Sequence, residues 1–229
     1  MIYLVESVHS SNMMKFAAVL AVLAFASPLN AYTVPRTGNG ALAAEIQDFV
    51  NLIPLDDIVA LLHEYINQDS EMQAWFNYLQ TNEFRNLVSS LESIPEFRDV
   101  LNYEQNAGLD AYYLTNKINE YLHLAKLVPP SRVRRAVSGG IRGFLDQVEA
   151  MVPVEQIRAL FREKVANSGV FANFISFLGS STSQRLVDAM CANAAFNNFL
   201  AKLQSYGVRL NVGKDFMENQ LGLHVSCSV

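Results

Sequence analysis

Basic side chains, cysteine and long apolar runs are all scarce in this chain of 229 residues, and each shortage excludes a class of protein. Lysine and arginine number 17 against 22 aspartates and glutamates, a net charge of −5. Phosphate backbones are bound by clustered cations, so no nucleic-acid partner is expected. Two cysteines, Cys191 and Cys227, are too few for a disulfide framework and lack metal-ligand spacing. In a secreted chain they either staple the C-terminal tail to the second half or remain free thiols, and spacing leaves both open. Charged residues make up 17% of the chain against 51% hydrophobic, which excludes disorder. No Asn-x-Ser/Thr triplet occurs, so no N-glycan is expected.

The apolar run Phe16–Ala26 is too short for a bilayer, which takes about 20 residues. Met13-Met14-Lys15 precede it, and Ser27-Pro28-Leu29-Asn30-Ala31 follow. That order reads as a signal peptide over residues 1–31, cleaved after Ala31 to leave Tyr32 at the mature N-terminus. Glu6 fits a signal n-region badly, so a start at Met13 or Met14 suits the pattern better. Secretion without a membrane anchor is the expectation.

What the chain does have is an internal repeat. Ile53-Pro54-Leu55-Asp56 answers Val152-Pro153-Val154-Glu155 at an offset of 99 residues, and the match runs on without a gap. Ile58, Leu61, Leu62, Tyr65 and Ile66 follow helical spacing, as do Ile157, Leu160, Phe161 and Val165. Period-2 alternation is lacking, so the expected fold is all-α. Pro54 and Pro153 suit first helical positions, Thr81 and Ser180 suit N-caps, and Gly108 and Gly207 suit helix ends. The breaks predict helices near 41–51, 54–67, 69–79, 82–92, 96–106 and 110–124, then the same set 99 residues on. One all-α domain over 32–229 would hold copy one (about 41–126) and copy two (about 140–225), joined near Leu127-Val128-Pro129-Pro130-Ser131.

Catalytic chemistry finds little support. His63-Glu64 opens like a zinc-protease motif, but position 67 is Asn, so the second imidazole is missing. His123 and His224 have no partner at ligand spacing. Ser138-Gly139-Gly140 near Arg142 reads as a helix entry, not a nucleophile elbow. Asp56/Asp57 and Asp69/Glu71 fall at helix starts, where dipole and capping explain them. No catalytic residue, metal or cofactor is therefore expected. Charge is divided unevenly, net −9 over 32–130 and +4 over 131–229, with Arg132, Arg134, Arg135 and Arg142 clustered near the join. A solvated helix face accounts for that cluster, and a lipid-headgroup contact or a proteolytic nick site are its functional alternatives.

Phe76-Asn77-Tyr78-Leu79-Gln80-Thr81-Asn82-Glu83-Phe84, Ile94-Pro95-Glu96-Phe97, Gly108-Leu109-Asp110 and Leu114-Thr115-Asn116-Lys117-Ile118-Asn119 together resemble the insect allergen-related repeat family. That family includes the cockroach group 1 allergens and mosquito midgut and microvillar proteins. The resemblance implies a capsule of twelve helices around a large apolar cavity. It implies cargo of fatty acids or phospholipids, secretion to the gut lumen or microvillar surface, and transient membrane contact with lipid extraction. The cavity-lining candidates are the stripe residues Ile58, Leu61, Leu62, Trp75, Phe76, Leu79, Leu87, Val88, Leu91, Phe97, Leu101, Ile118 and Leu122 of copy one. Those of copy two are Ile157, Leu160, Phe161, Phe174, Ile175, Leu178, Leu186, Val187, Met190, Phe196, Phe199, Leu200, Met217 and Leu221. Copy two departs from the pattern at Ser181-Thr182-Ser183, Ala194-Ala195 and Arg209. A packed-core helical protein that binds no ligand is the alternative, because such stripes ordinarily mean core.

Overall fold

A computed structural model describes residues 32–122 and 139–227, apart from the side chains of Ile118, Tyr121 and Leu122. The leader at 1–31, the join at 127–131, His123, Arg132, Arg134 and Arg135 lie outside the described residues. Twelve helices form the described chain. Copy one contributes α1 (Ala41–Val50), α2 (Leu55–Gln68), α3 (Ser70–Leu79), α4 (Asn82–Glu92), α5 (Pro95–Asn106) and α6 (Ala111–Leu122). Copy two contributes α7 (Gly140–Met151), α8 (Val154–Asn167), α9 (Gly169–Leu178), α10 (Ser181–Ala192), α11 (Ala194–Ser205) and α12 (Asn211–Leu221). Among the described residues the fold is all-α, and the one strand-like pairing is an isolated bridge between Arg36 and Leu109.

Local chemistry sets the boundaries. Thr81 accepts a hydrogen bond from the Phe84 amide and Ser180 from that of Ser183, as N-caps do. Pro54 and Pro153 stand one residue earlier than expected, as N-caps with φ of −76° and −77°. Their missing N–H costs nothing there, because no intrahelical bond needs it. Gly108 ends α5 at φ 103°, and a Cβ there would meet the Ala41 nitrogen at 2.5 Å. Only glycine lets the α5 end lie against the α1 start, where the Leu42 amide donates to the Ala107 carbonyl at 2.8 Å.

Helices of 10–14 residues are unstable alone and must bury their stripes. The copies do so by interlocking. α1 packs on α8 and α9, while α7 packs on α2 and α3, so each copy's first helix closes the other's second and third. α4 meets α11 as α10 meets α5. Residue contacts follow the same twofold. Tyr65 packs edge-on to Phe144 and its hydroxyl accepts from Gln147; 99 residues away, Lys164 pairs with Glu45 and Asp48. Tyr103 stacks on Phe177, and the equivalent Lys202 ammonium sits 3.8 Å over the Tyr78 ring. The last helices break the symmetry: α6 lies on α5, whereas α12 lies on α9.

Candidate functional site

Two half-cores follow from the interlocking, and they differ in packing. The first is built by α2, α3, α7 and α11. It buries Leu55, Ile58, Leu61, Leu62, Tyr65, Trp75, Phe76, Leu79, Phe144, Leu145, Val148, Phe199 and Leu203 in one cluster with Leu87 of α4. Trp75 anchors it, with ring centroids 5.5 Å from Tyr78, 5.6 Å from Tyr206 and 6.0 Å from Phe199. Burial pushes the Tyr78 hydroxyl up to about 12, helped by neighbouring Glu83. This is a closed apolar core.

The equivalent half-core is built by α8, α9, α1 and α5. Leu61, Leu62, Trp75, Phe76 and Leu79 are all 7% exposed or less. Their counterparts Leu160, Phe161, Phe174, Ile175 and Leu178 are all half-buried. They nevertheless lie on the inward faces, flanking buried Ile157 of α8 and Phe171 of α9. The exposed rows, Glu155-Ala159-Arg162-Ala166 and Gly169-Asn173-Ser176, run on the opposite sides. Inward apolar side chains on this side thus retain free surface that those on the first side have lost.

The stripe residues divide accordingly. Ile58, Leu61, Leu62, Trp75, Phe76, Leu79, Leu87 and Phe199 are members of the closed cluster, with Leu91 and Phe196 packed against it. Val187, Leu200 and Met217 gather with Phe196 around Val225 and Cys227. Phe174 packs against Val34, Leu42, Ala43 and Leu109. Val88, Phe97, Leu101, Ile157, Leu160, Phe161, Ile175, Leu178, Leu186, Met190 and Leu221 belong to none of these three clusters. The side chains of Ile118 and Leu122 lie outside the described residues. Cys191 and Cys227 are paired in a disulfide that ties the C-terminal tail to α10, which closes the alternative of two free thiols.

The polar groups singled out in the sequence are largely structural. Asp69 caps α3 through the Glu71 and Met72 amides. Its other oxygen accepts from the Gly140 amide at 2.9 Å, and Glu71 accepts from that of Ile141 at 2.9 Å. Two carboxylates thus neutralise the positive start of α7. Gly140, at φ 58°, makes room, since a Cβ would fall 2.1 Å from the Glu71 carboxylate. In the other half Ser168 caps α9 and donates to Glu45. Burial pushes the Glu45 carboxyl up, but hydrogen bonds from Lys164 and Ser168 outweigh it and hold it below the usual range. Lys164 is held above its usual range by Asp48 and Glu45. Arg142 pairs with Asp146 on α7 at 2.7 Å. Among the described residues no three His, Cys, Asp or Glu side chains converge as a metal site would require.

One inward polar residue escaped the sequence reading. Glu104 of α5 carries a carboxyl that burial pushes up to about 7. Its place at i+7 from Phe97 and i+3 from Leu101 was visible in the spacing, but the repeat match drew attention to shared apolar positions. Its counterpart, Leu203, is 2% exposed in the closed core.

These features define a class: an all-helical protein made by tandem duplication, whose two copies exchange their first helices. The family model described as "Insect allergen related repeat, nitrile-specifier detoxification" matches residues 41–212, and the chain belongs to that insect allergen-related repeat family. A curated relative, Protein G12 of Anopheles gambiae, is 32% identical over 212 residues, covering 89% of this chain and 98% of the relative.

Proposed function

We propose that this protein is a secreted, non-catalytic carrier of fatty acids or phospholipids in the insect gut, holding acyl chains on the α8–α9–α5 side. The observation that carries the reading is the contrast between equivalent stripes. Leu160, Phe161, Ile175 and Leu178 face inward yet stay half-buried, while the residues 99 positions earlier are sealed. Apolar surface left free inside a fold is what an acyl chain covers, at about 0.8 kcal/mol per buried methylene. The Cys191–Cys227 disulfide suits an oxidising compartment, in keeping with the leader read at 1–31. Among the described residues no helix is long and apolar enough to cross a membrane. Delivery to or extraction from membranes would then be by transient contact.

The test is competition between a fluorescent fatty acid and unlabelled acids of eight to sixteen carbons on delipidated protein. Affinity rising steeply with chain length until the space is filled supports the carrier. No binding, or equal affinity across lengths, removes it in favour of a packed-core protein without a ligand.

A further inference from the structure

The α5 helix presents its exposed residues Pro95, Arg98, Asp99, Asn102 and Asn106 along one side. At 100° per residue, the opposite side is centred on Glu104, with Phe97, Val100 and Leu101 about it. A glutamate there would ordinarily be paired, because an unpaired buried charge is costly. Burial is the one influence on the Glu104 carboxyl, with no hydrogen-bond or ion-pair partner among the described residues, and the residue is half-buried, not sealed. Its counterpart Leu203 lies in the closed cluster with Leu61, Phe76 and Leu79, so the twofold of the repeat sets Glu104 toward Leu160, Ile175 and Leu178, which are half-buried. The adjacent Tyr103 ring stacks on Phe174 and Phe177 of α9, which fixes this end of α5 against that half-core.

We infer that the Glu104 carboxyl is the headgroup subsite of the interior, holding a fatty acid head through one shared proton and releasing it when that proton is lost. The inference rests on the carrier reading. Two carboxyl groups in one apolar space cannot both ionise without strong repulsion, so the bound state is an acid–carboxylate pair joined by one hydrogen bond. Raising the pH moves that proton to solvent, and two facing carboxylates remain.

Among the described residues nothing supplies Glu104 with a counter-charge: Arg36, bridged to Leu109 just beyond α5, is exposed, and on α8 Lys164 pairs with Glu45 and Asp48 of α1 while Arg158 pairs with Glu155. On α10, Arg185 reaches Glu96 at 3.3 Å and Asp188 accepts from Gln184. On α4, Glu92 accepts from Asn119, Arg85 donates to Asn82, and Glu83 acts on Tyr78. On α6, Lys117 pairs with Glu120, Tyr112 donates to Asn102, and Asp110 accepts from the Tyr113 amide. α9 carries no titratable side chain. On α5 itself Arg98 and Asp99 lie on the exposed side, and burial pushes the Tyr103 hydroxyl up. Burial alone accounts for the raised Glu104 carboxyl.

The test measures binding of hexadecanoic acid and hexadecan-1-ol to delipidated protein from pH 5.5 to 8.5, in the wild type, Glu104→Gln and Glu104→Leu. The inference expects the acid, but not the alcohol, to weaken by up to about tenfold per pH unit above neutrality in the wild type. In both variants the break near neutrality should vanish, because only the ligand's own carboxyl then titrates. Parallel pH profiles for the acid in wild type and Glu104→Gln, with binding intact, overturn the subsite and leave the carrier standing. Absence of binding by either probe to any variant overturns both.

Discussion

The half-core of α2, α3, α7 and α11 and that of α8, α9, α1 and α5 are built from equivalent residues, yet one is closed and the other is not. The difference begins at single positions. Where the first has Trp75, Phe76 and Leu203, the second has Phe174, Ile175 and Glu104. Where the first crosses its helices through Tyr65 on Phe144 and Gln147, the second uses Lys164 on Glu45 and Asp48. Duplication gives both halves the same backbone plan. Side-chain volume and charge then seal the stripe of one half and leave that of the other half-buried.

The comparison is broken first by large truncations. Trp75→Ala should cost about 3–5 kcal/mol by chemical denaturation, since three aromatic neighbours lose their partner. Phe174→Ala should cost less than half of that in delipidated protein. Equal losses would mean the halves are packed alike.

Removing the disulfide comes next. Cys191→Ser with Cys227→Ser opens a loop spanning 36 residues and should cost about 3–4 kcal/mol. The loss should be confined to α10, α11, α12 and the tail by hydrogen exchange, because Val187, Leu200, Met217 and Val225 cluster there.

Glu104 gives an effect of similar size with a definite sign. Its folded carboxyl titrates near 7 against an ordinary 4.5, so the folded state binds more protons between those values. The contribution of Glu104 is therefore full below about pH 4.5 and falls as pH rises to 7, by about 3 kcal/mol. Glu104→Leu, which installs the counterpart's residue, should remove that slope in urea midpoints measured across pH 4.5–8.

The smallest effect falls at the helix crossings. Lys164→Met should cost about 1 kcal/mol at low salt and less at 1 M NaCl, whereas Tyr65→Phe should be insensitive to salt. Because Glu45 is held low and Lys164 high, the pair's contribution should be lost as pH falls below about 4.5 or rises beyond 10.5.

Much of the architecture was legible in the chain. The 99-residue repeat, the helix breaks at Pro54, Thr81 and Gly108, and the caps at Thr81 and Ser180 are local signals that spacing carries. The exchange of α1 and α7 was not, because a stripe says that a face is buried and not what buries it. The same limit hid the contrast between the two halves. Leu79 and Leu178 are identical in sequence and register, so periodicity treats them as one, and only their neighbours across the fold distinguish sealed from free.

That pair supplies the most direct measurement: thermal stability and bound fatty acid for Leu79→Trp and Leu178→Trp, each compared with wild type after delipidation. The account predicts that Leu79→Trp overpacks its core and costs about 1–3 kcal/mol without altering lipid stoichiometry. It predicts that Leu178→Trp is tolerated in the delipidated protein and lowers the lipid bound. Equal destabilisation by the two substitutions, with bound lipid unchanged in both, would contradict it.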